Sequence, residues 1–295
     1  MDNKTAVYSK KAARKDKIRK FIKTMFSRKI VVIAAIGVLF FLLLALFTDV
    51  ITVYEPNATS PYDAFQKPNA EHWLGTDDYG RDTLTRLIYG ARVSLIVGVL
   101  AVMIACVVGV FMGLCAAYFG GWVDVVIMRC SEALMSIPRI MVSLALITIF
   151  GSSVTDLAVV LGITSVPNYV RMMRGQALSL KNSDYVKASE IQGARGIYVM
   201  FKHILPNAIS PIIVLMTQQV GTTILMESGL SYVGIGISIP IASWGTMISN
   251  GKNFLINQPI LAIAPGICVA LLVICLNILG DGIRDAMDPR LRGEI

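Results

Sequence analysis

Very few residues of this chain are spaced for covalent chemistry. The nearest approach to a phosphate-binding loop is Gly245-x-x-x-x-x-Gly251-Lys252-Asn253. It has one residue too many between its glycines, and Asn stands where Ser or Thr would bind magnesium. There is no H-E-x-x-H helix, no G-x-S-x-G elbow and no pair of intramembrane Asp residues, so a hydrolase is not indicated. His72 and His203 are the only histidines, too few and too separated for a His-based metal centre. Cys106, Cys115, Cys130, Cys268 and Cys275 all fall in apolar runs with no C-x-x-C among them, which reads as small buried hydrophobes. The chain carries no catalytic residues, no metal ligands and no cofactor of its own.

What the spacing does offer is a device for docking and movement. The interval Met172 to Asn207 is polar and lies between two apolar runs. Ser183 or Asp184 can cap a helix, Tyr185 to Gln192 can form about two turns, and Gly193 suits a C-terminal stop. Gly196 to His203 permits a second short helix, which Pro206 is expected to end before the next apolar run. The interval holds Arg171, Arg174, Lys181, Lys187, Arg195 and Lys202 against Asp184 and Glu190. That excess predicts a cytoplasmic position. Beyond it, Thr217, Gln218, Gln219, Thr222 and Thr223 make an otherwise apolar run polar, as expected of side chains lining a pathway or bonding neighbouring helices.

The elements that must carry these residues follow from composition. Of 295 residues, 55% are hydrophobic and 16% charged, and the mean hydropathy is +0.66, which predicts an all-α integral membrane protein. The net charge of +8 does not indicate nucleic acid, because eleven of the 27 Lys and Arg precede Ile30. They form a basic cytoplasmic tail over 1–29, either an amphipathic helix on the anionic leaflet lipids or an unstructured arm. The first transmembrane helix is predicted over 30–48, followed by an acidic extracytoplasmic loop over 49–90 whose Asp and Arg residues knit it together. Further spans are expected at Val93 to Phe119, Val125 to Phe150, Leu157 to Val170, Ala208 to Met226 and Ile260 to Leu279. Pro138 is expected to kink the third and Pro167 to distort the fourth. In that third span Arg129 and Glu132 share a face and can pair, while Arg139 is the one deep charge. Six transmembrane helices result, with both termini cytoplasmic in a cell (inner or plasma) membrane, and the tail and first span read as an appendage to one domain.

Several stretches together resemble a known family. Ala188, Gly193, Leu205 and Pro206 sit at the spacing of the EAA loop of ABC-transporter permeases, with Lys187, Ser189 and His203 in place of its Glu, Ala and Ile. His72-Trp73-Leu74-Gly75-Thr76-Asp77-x-x-Gly80-Arg81-Asp82 and Gly90-Ala91-Arg92-x-Ser94-Leu95 resemble the "C" permease subunit of the dipeptide, oligopeptide and nickel ABC importers. So do Glu227-Ser228-Gly229-Leu230-Ser231-Tyr232-x-Gly234-x-Gly236, Ser243-Trp244-Gly245-x-Met247 and Asn277-x-Leu279-Gly280-Asp281-Gly282-x-Arg284-Asp285-x-x-Asp288-Pro289.

The resemblance implies a type I ABC-importer permease core over 91–283, a coupling loop over 171–207 with a cytoplasmic coupling helix, and a second tail over 284–295. It implies a second homologous permease subunit, two ABC ATPase subunits that hold ATP and magnesium, and an extracytoplasmic solute-binding protein. The ATPases would be met by Tyr185, Lys187, Ala188, Glu190, Gly193, Ala194, Arg195, His203, Leu205 and Pro206, while Gln218, Gln219, Thr222 and Thr223 would line the pathway. The implied cargo is di- or oligopeptides, with nickel or metal chelates or glutathione as alternatives in the same family. An ion-coupled secondary transporter is the rival class, and it would want more mid-membrane charge than Arg139 provides.

Overall fold

A computed structural model describes residues 19–287, and among these residues there are only helices, turns and one isolated bridge between Thr76 and Asp82. The sequence expectations for 1–18 and for 288–295 lie outside the described residues; residues 19–25 are helical. The long elements are α1 (Lys29–Leu46), α2 (Thr83–Phe119), α3 (Gly121–Ser136), α4 (Arg139–Phe150) and α5 (Val154–Lys181). They are followed by α6 (Asp184–Ile191), α7 (Leu205–Tyr232), α8 (Trp244–Gly251) and α9 (Ile260–Met287).

Among the described residues, four helices are long and apolar enough to cross a bilayer: Lys29–Leu46, Thr83–Phe119, Gly196–Tyr232 and Ile260–Met287. The third expected span is corrected from a kinked helix to a broken one, since Gly121–Met135 and Arg139–Phe150 meet at 94°. Pro138 has no N–H to donate and drives Ile137 out of the helical region, to φ −101° and ψ 136°. The fourth span is longer than expected, because α5 runs through Pro167 to Lys181. Its 28 residues reach about 42 Å, long enough to cross, though its polar residues leave it less apolar than the other spans. The polar interval therefore leaves the helix at Asn182, ten residues later than expected.

Three further boundaries differ from the sequence expectations. Asp82 accepts from Thr85 N–H and starts α2 at Thr83, where the sequence itself resumes a helical pattern, so the first loop ends before residue 90. Pro206 does not end a helix: the turn Gly196–Val199 passes through a π turn, Met200–Ile204, into α7. The wider turn and the first-turn position of Pro206 remove the need for its missing donor. Finally, α7 continues to Tyr232, which brings Glu227 inside the helix.

The core is built on α2 against α5. A Cβ added to Gly109 would lie 2.5 Å from Tyr169 Cβ, and one on Gly113 would lie 2.7 Å from the Val170 carbonyl oxygen. The G-x-x-x-G spacing thus permits backbone contact between these two helices. Around it pack Leu114, Ala117, Tyr169, Met173, Val199, Met200 and Ile204. The first span is part of this bundle and not an appendage. Gly37 lies against Cys275, Gly282 lies against Val31, Phe41 meets Trp244 edge-on at 5.5 Å, and Arg28 pairs with Asp285 at 2.9 Å.

Candidate functional site

The helix that follows the fourth span forms where the sequence predicts it, but the expected side-chain cap at Ser183 or Asp184 is absent, because the Ser183 hydroxyl donates back to the Leu180 carbonyl at 2.6 Å. The Ser183 carbonyl oxygen accepts from the Val186 and Lys187 amides, each at 3.1 Å. At the other end Gly193 takes φ +81°, its N–H donates to the Glu190 carbonyl at 2.9 Å, and Ala194 N–H donates to Ser189 at 3.1 Å. This paired closure needs a left-handed residue, and Gly adopts that conformation without Cβ strain.

One residue anchors α6 to the bundle. Val186 is fully buried in the cluster formed by Tyr169, Met173, Val199, Met200 and Ile204. Three polar ties hold the surrounding elements. Tyr118 Oη donates to Glu190 Oε1 at 3.1 Å. Lys181 Nζ donates to the Ala117 and Tyr118 carbonyls at 3.2 and 2.6 Å, satisfying the C-terminal end of α2. Arg174 grips Asp124 through two hydrogen bonds of 2.5 and 2.6 Å, joining α5 to α3. Gly196 fits beneath the Tyr118 ring, where a Cβ would come within 2.6 Å of Cε1.

The opposite face of this unit is open. Ile191 is 86% exposed and Ile197 67%, and Tyr185, Tyr198 and Phe201 are exposed beside them. Lys187, Ala188, Glu190, Gly193, Arg195 and Pro206 share that exposure, whereas Ala194, His203 and Leu205 are partly covered. The His203 ring lies 6.4 Å from Tyr185 and 5.6 Å from Tyr198. An apolar centre with a charged rim, held to the core at Val186, has the composition of a docking surface. Sequence reading found the small and charged residues here but not Ile191, Ile197 and Phe201, whose exposure follows from the turn geometry.

The four residues expected to line a pathway divide between two faces of α7. Gln218 borders a cavity of about 650 Å³ with Met172, Gln176, Asn207, Ser210 and Arg284, and it donates to Asp281 at 3.3 Å. Thr222, one turn on, is exposed. Gln219 and Thr223 are buried on the other side: the Gln219 side-chain oxygen accepts from Thr222, and the Thr223 hydroxyl has no partner among the described residues. The 3.6-residue repeat separates i, i+4 pairs that are adjacent in sequence.

Toward the other end of the bundle the loop of residues 52–82 is knit by its own charges and tied to its neighbours, with Gln258 Nε2 donating to the Phe65 carbonyl at 3.1 Å. Arg81 Nε donates to Asp77 at 2.7 Å, His72 meets Asp82 at 2.9 Å, and the Arg86 guanidinium reaches the Pro56 carbonyl at 2.8 Å. The expected knitting role of these charges is what the geometry shows. Burial, and next the charge of Asp77, raise the Asp78 carboxyl above its ordinary range. Hydrogen bonds from Tyr89 and then Arg92 hold Asp49 below it.

A feature that sequence reading missed is Glu227, completely enclosed in α7 beside Ser94, Ser228, Ser231 and Ser243. Its neighbours come from three of the stretches singled out in the sequence, around Gly90, Glu227 and Ser243. Their convergence is the available signal that the glutamate is not a loop residue.

Residues 105–293 match the family described as "Binding-protein-dependent transport system inner membrane component". The chain is 37% identical over 274 residues to the dipeptide transport system permease protein DppC of Alkalihalophilus pseudofirmus, covering 93% of this chain and 90% of that one. It is 37% identical over 266 residues to the oligopeptide transport system permease protein OppC of Bacillus subtilis, covering 90% and 87%. The glutathione transport system permease protein GsiD of Pectobacterium atrosepticum is 34% identical over 275 residues, covering 93% and 91%. In fold, the chain is similar to an inward-facing MetNI methionine ABC transporter structure, with a TM-score of 0.58 at 18% identity, over 69% of this chain and 97% of that one.

Proposed function

Because the chain belongs to the family of binding-protein-dependent transport system inner membrane components, we propose that it is the permease subunit of an ATP-driven importer of di- or oligopeptides. It forms half of the translocation pathway, and a second homologous permease forms the other half. Two cytoplasmic ATPases supply the energy, and an extracytoplasmic binding protein delivers the cargo. The chain itself is not an enzyme; ATP and magnesium sit on the ATPases. Peptide cargo is favoured over nickel because the relatives compared are named for dipeptides, oligopeptides and glutathione, all of which are peptides.

The observation that carries this reading is the open face around Ile191 and Ile197, on a helix that Gly193 closes and Val186 fixes to the core. ATP binding draws the two ATPases together, and this face, seated in an ATPase groove, passes that closure to α5 through Ser183 and to α7 through the π turn. A rigid seat is required, since a loop that yielded would dissipate the movement. Gly193 and Ala188 allow close backbone approach, and Lys187, Glu190 and Arg195 provide the polar rim. The cation excess of residues 171–202 supports placing this end in the cytoplasm, which makes both termini cytoplasmic. Gln218 and Thr222, on the less covered face of α7, are the pathway-lining pair.

The test is uptake of a labelled dipeptide by vesicles containing the two permeases, the ATPases and the binding protein. ATP-dependent accumulation that stops when the ATPases are omitted is the expected result. Uptake that continues without them and collapses with an ionophore would establish the ion-coupled alternative.

A further inference from the structure

Glu227 has no exposed surface, and among the described residues no Lys, Arg or His lies within ion-pair distance of it. A buried carboxyl without a cation needs hydrogen bonds to both oxygens. Ser243 and Ser231 donate to Oε1 at 2.9 and 3.1 Å, and Ser94 and Ser228 face Oε2 at 3.3 and 3.5 Å.

The direction of two of these bonds is fixed from outside the cage. Trp244 N–H donates to Ser94 Oγ at 3.3 Å, and Thr246 N–H donates to Ser243 Oγ at 3.1 Å. A hydroxyl that accepts from an amide keeps its own proton for another acceptor; for Ser243 the Glu227 carboxyl at 2.9 Å is nearer than Thr246 Oγ1 at 3.3 Å, and for Ser94 it is Glu227 at 3.3 Å. Both amides belong to the first turn of α8, where helices have unsatisfied donors and positive partial charge. Amide, hydroxyl and carboxylate therefore form two polarised relays from one helix N-terminus to one buried acid.

The surroundings make α8 part of the same unit. A Cβ on Gly245 would approach Ser228 Cα and Ser231 Cβ, each within 2.8 Å, and one on Gly90 would approach Trp244 Cδ1 within 2.8 Å. Trp244 Nε1 donates to the Leu87 carbonyl at 2.9 Å. We propose that Glu227 is a positioning residue, the hydrogen-bonded clasp that fastens α8 and the connecting segment 233–243 to α2 and α7, so that they move as one body during transport. The clasp is argued from geometry alone; its consequence for transport rests on the importer reading.

The experiment uses the assembled transporter in vesicles, with the native cysteines replaced and Ala242→Cys introduced at a buried position of the segment. A membrane-impermeant maleimide then measures how often the segment lifts. Glu227→Gln keeps shape but sets an amide donor among hydroxyls that donate; roughly tenfold faster labelling is expected, the scale of one buried hydrogen bond lost. ATP hydrolysis should continue while less cargo enters per ATP. Ser243→Ala should shift both readings the same way, and it carries the test if Glu227→Gln does not assemble. Labelling at the unsubstituted rate in the variant that assembles overturns the clasp. Fast labelling with the cargo-to-ATP ratio unchanged overturns the transport role. Failure of the unsubstituted complex to import peptide would count against the importer reading and leave the labelling result standing.

Discussion

Replacing Ile191 and Ile197 by serine tests the docking face most directly. Neither side chain supports the fold, being 86% and 67% exposed, so the stability of the isolated chain should change by less than about 0.5 kcal/mol. Full burial of an isoleucine contributes about 2 kcal/mol. Scaled by what each side chain still exposes, covering them in a partner's groove contributes about 1.7 and 1.3 kcal/mol. The double variant then loses about 3 kcal/mol, or roughly 100-fold in affinity for the ATPases. Because interface area converts to affinity incompletely, this is an upper figure. Titrating purified ATPase subunits against detergent-solubilised permease pairs reads the affinity, and thermal unfolding of the chain alone is the control. An affinity within about threefold of the unsubstituted complex, with folding intact, would refute the placement of the ATPases on this face.

Other perturbations follow from the same geometry. Gly193→Arg meets no atom within 4 Å but must hold φ +81°, at a cost of about 1–2 kcal/mol. The complex should assemble while ATP hydrolysis no longer drives uptake, and normal uptake would count heavily against the coupling role. Gly109→Leu forces a side chain against Tyr169 and the Val166 carbonyl. Overpacking of about 1–3 kcal/mol is expected, read as a lowered melting temperature; an unchanged one would show that α2 and α5 are not in backbone contact. Asp78 has a folded-state pKa above its unfolded value, chiefly through burial. Its ionisation therefore opposes folding at neutral pH, and the opposition fades as pH falls through the raised pKa toward the ordinary value of about 3.9. Asp78→Asn should raise the melting temperature at pH 7 and lose that gain on acidification, and a gain independent of pH would contradict the assignment.

The sequence alone determined the membrane location, because 55% hydrophobic residues in runs separated by charged intervals have no other stable solvent. It also determined the helix at 184–191, whose end Gly193 marks by chemistry that depends only on near neighbours, whereas the side-chain cap expected at its start is not made. Each of those signals is local. Proline was the unreliable case: Pro138 breaks its helix, Pro167 is carried within one, and Pro206 lies inside a continuous passage into α7. The same missing N–H has these different results because packing decides whether the freed carbonyl is tolerated. Only the tertiary structure could separate Gln218 from Gln219, expose Ile191 while burying Val186, or bring Ser94 to the Glu227 carboxyl 133 positions away. Those outcomes depend on which helix stands beside which, and contacts between residues over a hundred positions apart leave no periodic trace in the chain.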